Sequence, residues 1–216
     1  MEKYDVILFD LDGTLTDPKK GIINSIKYAL KKLNISNYDP KTLVEFIGPP
    51  LDESFEYYFH MDHDQALTAI NYYREYFKVK GLFENQIYPG IPELMKRIHD
   101  QKRKIYVATS KPTQFAKDIL NHFKIADYCV EIVGSNLNLT RVKKADIIEY
   151  VLQKIPQCPR ERIVMVGDRK YDIIGAKDTK IDSIGVTYGY GNLEEIKHAN
   201  PTMIAHSVAE LSHLLL

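Results

Sequence analysis

Cysteine is scarce: Cys129 and Cys158 are the only two in 216 residues, and they form no CxxC pair. That argues against a disulfide framework or a cysteine zinc site and fits a reducing cytoplasm. An excess of charge of either sign is also missing, because 29 Lys and Arg balance 29 Asp and Glu. A nucleic-acid binder would usually carry a basic surplus, so no such partner is expected. No apolar run approaches the ~20 residues that a bilayer span requires, so no membrane partner is expected either. The opening residues, Met1-Glu-Lys-Tyr-Asp, lead into a short apolar run that ends in acid and do not read as a signal peptide. Internal repeats and low-complexity stretches are absent. The histidines are scattered, and His60 and His63 have no partner cluster for a metal, so both are read as surface residues.

What remains is the composition of an ordinary globular chain, 44% hydrophobic and 27% charged, long enough for a core domain with a smaller insert. Short apolar runs recur at Val6 to Phe9, Ile105 to Ala108, Ile132 to Val133, Ile163 to Val166, Ile184 to Val186 and, more weakly, Met203 to Ala205. Such runs suit strands buried on both faces. Helical spacing lies between them, at Pro92 to Gln101, Thr113 to His122 and Ala145 to Gln153. The alternation predicts an α/β fold, a Rossmann-like parallel sheet with helices on both faces.

Residues 17–81 break the rhythm, with four helices and no convincing strand. Asp17 is expected to cap the first with Pro18 at its first position, and Asp39-Pro40 repeats the signal. Gly48 ends that second, short helix. Pro49-Pro50 precedes a third over Leu51 to Phe59, and a fourth opens at Asp62 or His63 and runs to Gly81. The aromatic residues here, Phe55, Tyr57, Tyr58, Phe59, Tyr72, Tyr73, Tyr76 and Phe77, are read as helix packing in preference to a base-stacking surface. The expected organisation is a core of 1–16 and 82–216 and an inserted all-helical domain of 17–81.

Four segments at strand ends carry the chemistry. Phe9-Asp10-Leu11-Asp12-Gly13-Thr14 follows a buried strand, where ligands of parallel sheets bind. Asp10 and Asp12 are two apart in extended chain and face one side, and Gly13 lets the backbone turn away. Val166-Gly167-Asp168-Arg169-Lys170-Tyr171-Asp172 ends a second strand with two acids one helical turn apart. Crowded carboxylates resist ionisation, and a hard divalent cation such as magnesium resolves the conflict. Ala108-Thr109-Ser110-Lys111-Pro112 offers a hydroxyl and backbone N–H groups for an anion, or an ordinary helix cap. Arg141-Val142-Lys143-Lys144 puts basic residues at a helix start, against the dipole, either for function or as a solvated face.

In this order, the segments resemble the haloacid dehalogenase (HAD) superfamily, specifically its phosphatases with a helical cap inserted after the first motif. The DxDGT and GDxxxD pair carries the resemblance, and it extends over the chain to the Tyr88-Pro89-Gly90 re-entry and the Thr187–Gly191 loop. The details are most similar to phosphoglycolate phosphatases and to bacterial 5'-nucleotidase-like proteins; Phe46-Ile47-Gly48-Pro49-Pro50-Leu51 and Gly134-Ser135-Asn136-Leu137 point to the latter. The resemblance implies Asp10 as nucleophile and metal ligand, and Asp12 as general acid and base with its carbonyl on the metal. Thr109 and the N–H of Ser110 would bind phosphoryl oxygens, with Gly48 contributing to the substrate site from the cap. Lys144, with Lys143 as second choice, would neutralise charge. Asp168 would bind magnesium directly, and Asp172 directly or through water.

The implied enzyme is a cytoplasmic, magnesium-dependent phosphatase of a small phosphate ester, with substrate and oligomeric state open. Two other readings are a sugar phosphomutase and a non-catalytic binder of the same fold. Ile22, where the related mutases carry a cap histidine, counts against the mutase. The completeness of the motifs counts against the binder, and Asp12 counts against a dehalogenase.

Overall fold

The computed structural model describes residues 3–138 and 140–216. They divide into two compact units, one running up to Asp17 and resuming over Ile87–Leu216, the other Pro18–Gln86.

The first unit is built on a six-stranded sheet of order β5-β4-β1-β6-β7-β8. Its central strand is β1 (Val6–Phe9), four apolar residues that are all buried. Around it lie β4 (Lys104–Pro112), β5 (Cys129–Ser135), β6 (Ile163–Gly167), β7 (Asp182–Val186) and β8 (Met203–Ala205). Every pairing is parallel. This is the Rossmann-like α/β sheet that the apolar runs predict: strands sandwiched by helices lose both faces to the core and need no polar alternation. The helices are α4 (Ile91–Asp100), α5 (Thr113–His122), α6 (Lys144–Gln153), α7 (Lys170–Asp178), α8 (Leu193–Ala199) and α9 (Val208–Leu215).

Topology locates the site. After β1 the chain builds β4 and β5 on one side, then crosses to β6, β7 and β8 on the other. The strand order reverses at β1, and the crevice beyond the carboxyl ends of β4, β1 and β6 is the binding position of such sheets. The register is continuous across the three: Phe9 is level with Val107 and with Val166.

β4 extends four residues beyond the apolar run, to Pro112. The pattern ends at Ala108 because Thr109, Ser110 and Lys111 are polar, yet the backbone stays paired with β5 through a register shift between Thr109 and Pro112. Gly134 permits this approach, since a Cβ there would lie 2.1 Å from the Lys111 carbonyl oxygen.

The chain passes between the units through two short strands, β2 (Thr16–Asp17) and β3 (Gln86–Ile87). The second unit holds α1 (Lys19–Lys32), a 3-10 turn over Pro40–Phe46, α2 (Leu51–Phe59) and α3 (His63–Tyr76), which continues as a π turn over Phe77–Gly81. Asp39 caps the 3-10 turn through Lys41 N at 2.9 Å. Asp62 caps α3 by accepting from Gln65 N, while Gln65 Oε1 accepts from Asp62 N, a reciprocal capping box.

One sequence expectation differs from the structure here. Pro18 and not Asp17 occupies the cap position of α1, without a side-chain hydrogen bond, and the Asp17 carboxylate accepts from the Tyr190 hydroxyl. The unit also extends past residue 81 to Gln86. Glu84 explains the extension, because its carbonyl accepts from Gly21 N and its carboxylate from Asn24 Nδ2 at 2.9 Å and from the Tyr76 hydroxyl. The aromatic residues pack on one another: Phe46 meets Phe55 edge-on at 5.0 Å, and Tyr73 stacks on Phe77 at 5.3 Å.

Candidate active site

β1 ends in Asp10, whose backbone N–H donates to Val166 O on β6 at 2.9 Å. Two residues on, Asp12 opens a tight turn closed by Gly13 N donating to Thr16 O at 2.7 Å. Gly13 has φ +83°, and a Cβ there would lie 2.1 Å from Asp168 Oδ2. Glycine is therefore required twice over, by its dihedral angle and by the acid pressed against it.

At the end of β6, Asp168 is fully buried. Its Oδ2 accepts from Tyr190 N at 2.7 Å and its Oδ1 from the Thr14 hydroxyl at 3.4 Å. Asp172, the third residue of α7, divides its oxygens. Oδ2 accepts from Arg169 N at 3.1 Å and caps the helix, while Oδ1 lies 2.8 Å from Lys144 Nζ.

Lys144 is the first residue of α6 and is 6% exposed. Its ammonium sits 2.9 Å from Asp10 Oδ1 and 2.8 Å from Asp172 Oδ1, and it donates a well-directed hydrogen bond to Ala108 O at 3.0 Å. A cation at a helix start is unfavourable in itself; two carboxylates reverse the balance. Of the two lysines considered, it is Lys144 that lies among the acids, while Lys143 stands exposed at the cap position of α6 and makes no side-chain capping bond.

Thr109 is buried at the end of β4, and its Oγ1 accepts from Lys111 N at 3.3 Å. The Ser110 hydroxyl points elsewhere and donates to Val142 O at 3.4 Å. Gly48 belongs to the Pro18–Gln86 unit, where it has φ +111° between the 3-10 turn and α2.

Lys111 is a cation that the sequence reading passed over as a functional group. Its Nζ lies 2.8 Å from Asp12 Oδ2, and both side chains are largely buried, 6% and 13% exposed. The signal was present: Lys111 is two residues from Thr109 in extended chain, the same spacing that pairs Asp10 with Asp12. Tyr188 and Tyr190 were also missed as individuals. The Tyr188 hydroxyl donates to Thr14 O at 3.0 Å and its ring packs on Tyr88 at 5.1 Å. With the Tyr190 contacts they brace the turn after Asp12.

The electrostatics follow from burial. Desolvation raises the Asp168 carboxyl well above the usual range, reinforced by Asp172 and Asp10. Burial pushes Asp172 up to about 6 against the pull of Lys144. Burial also raises Asp12, opposed by Lys111. For the Lys144 ammonium, burial acts downward, but Asp10 and Asp172 outweigh it and hold the group above its ordinary value.

Four carboxyl groups therefore face two ammonium groups, so that full ionisation would leave an excess of two negative charges, which the raised values of Asp12, Asp168 and Asp172 reflect. Asp10, Asp168 and Asp172 each offer an oxygen, and the three lie within 4.8 Å of one another. Asp10 Oδ1 and Asp172 Oδ1 are buried without a directed hydrogen bond. An all-carboxylate donor set with that charge deficit fits a hard divalent cation such as magnesium.

Comparison with known proteins agrees with this architecture. The family model described as haloacid dehalogenase-like hydrolase matches residues 7–186. A 5'-nucleotidase of Pseudomonas aeruginosa is 41% identical over 99% of this chain and 96% of its own. A Mycobacterium tuberculosis protein named tyrosine-protein kinase PtkA is 33% identical over 95% of this chain and 70% of its own. The crystal structure of a predicted phosphatase from Clostridium acetobutylicum superposes with a TM-score of 0.92 at 48% identity, covering 97% of both chains. A matched family model spanning β1 to β7, together with these relatives, shows that the chain belongs to the haloacid dehalogenase-like hydrolases and is a phosphatase of that family.

Proposed function

We propose that the protein hydrolyses small phosphate monoesters with magnesium, transferring the phosphoryl group first to Asp10 and then to water. The observation that carries this reading is the placement of Asp10, a buried carboxylate 2.9 Å from a lysine ammonium and beside two further acids at a sheet switch point. Asp10, Asp168 and Asp172, with the Asp12 carbonyl, would hold the cation. Bound there, it would supply positive charge for the phosphoryl oxygens.

The protein's own groups carry the steps. The Asp10 carboxylate attacks phosphorus, and the ester P–O bond breaks with its electron pair leaving on oxygen. Asp12 gives that oxygen a proton; burial, which raises its pKa against the pull of Lys111, favours the protonated form it needs. Asp12 then accepts a proton from the water that attacks the aspartyl-phosphate, and the P–O bond to Asp10 breaks to release phosphate. Lys144 offsets the repulsion between Asp10 and the dianion. The Thr109 hydroxyl, whose oxygen already accepts from Lys111 N, has its own proton to donate to a phosphoryl oxygen, and the Ser110 N–H assists. Proton transfer from Asp12 favours hydrolase over dehalogenase chemistry.

For the substrate we favour a nucleoside monophosphate, on the likeness to a protein named 5'-nucleotidase; a phosphoglycolate-like ester is the alternative that the sequence details raise. The test is a panel of phosphate monoesters that includes both, with magnesium and after exhaustive chelation, scored by inorganic phosphate. Phosphate release only with magnesium, and phosphate on Asp10 in quenched digests, is the expected result. Full turnover after chelation would overturn the metal assignment. Loss of ester without free phosphate would show transfer to an acceptor other than water.

A further inference from the structure

The family reading gives the site one lysine, and the structure puts two among the acids. Lys144 lies against Asp10 and Asp172, and Lys111 lies against Asp12. The second pairing is built by the backbone. β4 stays extended as far as Pro112, through a register shift against β5 after Thr109, and it brings the Lys111 ammonium to Asp12 while the Ser110 hydroxyl turns away to Val142 O. Several contacts hold that stretch in place. Ser135 Oγ donates to Ser110 O at 2.7 Å, and Gly134 N donates to Thr113 Oγ1 at 3.0 Å. Gly134 leaves no room for a Cβ beneath the Lys111 carbonyl. Asp12 Oδ1 is buried without a hydrogen bond, so the contact to Lys111 at Oδ2 is the polar restraint seen on its carboxylate. Lys111 is thus anchored on the strand next to β1 and set against the acid proposed to move both protons.

We propose that Lys111 is a positioning residue for Asp12, holding its carboxylate in the rotamer from which it reaches the ester oxygen and, in the second step, the water. The inference rests on the proposed acid–base role of Asp12. It assigns the two lysines to different steps: Lys144 serves attack, and Lys111 serves proton transfer.

The experiment compares an alkyl phosphate, whose leaving group needs a proton, with 4-nitrophenyl phosphate, whose leaving group needs little. Lys111→Met, Lys111→Arg, Asp12→Asn and the Lys111→Met/Asp12→Asn double variant are assayed with both esters under saturating magnesium. Lys111→Met should lose about ten- to a hundred-fold in kcat on the alkyl ester, a part of the range that acid–base catalysis spans, and clearly less on the aryl ester. With the aryl ester it should accumulate phosphate on Asp10, since the second step still needs a placed base. Lys111→Arg should recover part of the loss. The double variant should be no slower than Asp12→Asn, because two residues acting on one step are not additive. Retained attack on the aryl ester reports a folded site.

Equal losses on both esters, a loss confined to KM, or additive losses in the double variant would overturn the positioning role and make Lys111 a substrate-binding cation. If Asp12→Asn itself spares the alkyl ester, the acid–base reading of Asp12 fails, a result distinct from failure of Lys111 alone.

Discussion

Both units bury apolar side chains, and they differ in buried charge. Among the described residues, the buried charged side chains, Asp10, Arg103, Lys144, Asp168 and Asp172, all lie in the unit that carries the parallel sheet. The Pro18–Gln86 unit buries Phe46, Phe55, Phe77, Leu30 and Leu43, and its buried polar residues are Ser25, Ser54 and Asn85. Packing of this second kind is favourable in proportion to the apolar area removed from water. Burying like charges is unfavourable until a counter-charge arrives. Apolar packing supports both units, and the sheet unit in addition holds an electrostatic conflict at its switch point that stability alone would remove.

Breaking the charged side should have the largest effects. Lys144→Met leaves Asp10 and Asp172 without their cation. Phosphate release should fall by about a hundred- to a thousand-fold, as when one donor to a developing anion is removed. Denaturant unfolding without metal should show a loss of about 3–5 kcal/mol, the usual result of orphaning a buried pair. A variant as stable as the parent would mean that the acids are neutral in the resting protein.

Asp168→Asn separates activity from stability. It keeps an oxygen for Tyr190 N but removes a carboxylate whose burial, beside Asp172 and Asp10, already disfavours its charge. Turnover should drop sharply, yet the metal-free melting temperature should rise by ~2–4 °C per kcal/mol of relieved repulsion. Calorimetry showing a lower melting temperature would contradict the charge excess.

Phe55→Ala tests the other side. The ring is fully buried between Phe46 and Phe59, and its loss should cost about 3–5 kcal/mol of stability. Below the melting transition, kcat on 4-nitrophenyl phosphate should stay near the parent value. A collapse of that rate in folded protein would show that the units do not divide stability from chemistry.

The smallest expected effect concerns pH. Asp172 has a folded-state pKa pushed up to about 6, above the ~3.9 of an unfolded aspartate. Its raised value favours the metal-free fold below pH ~4, and that advantage is lost as pH rises through about 6. Magnesium competes with the same proton, so its stabilisation of the melting temperature should be largest near pH 7.5 and shrink as pH falls through about 6. A shift independent of pH would remove Asp172 from the metal site.

Much of the core was legible because its signals are local. β1 is a four-residue apolar run, α5 matches its predicted bounds, and the capping box of Asp62 and Gln65 spans four residues. Asp10, Asp12, Asp168 and Asp172 stand out because paired acids directly after buried strands have no packing use. Residues 82–86 join the second unit through Glu84 contacts to α1, 60 positions away for Asn24, and no local pattern records such a bond. The start of α1 differs for a related reason: Asp-Pro is a good cap signal in isolation, but Pro18 takes the cap position and the Asp17 carboxylate meets Tyr190 across 173 positions.

By itself, then, the sequence located the six strands of the parallel sheet, the bounds of α2 and α5 and the acids that converge, through burial periodicity and spacing, which are properties of neighbouring residues. Only the tertiary structure decided which lysine serves which acid. Lys111 and Lys144 are both cations after polar stretches, and nothing in their neighbours distinguishes Asp12 from Asp10 and Asp172 as targets. That choice depends on β4 lying beside β1, on its extended path to Pro112, and on α6 starting where two carboxylates already point. Such proximity arises from chain crossing at the sheet switch point and is not encoded within any one segment.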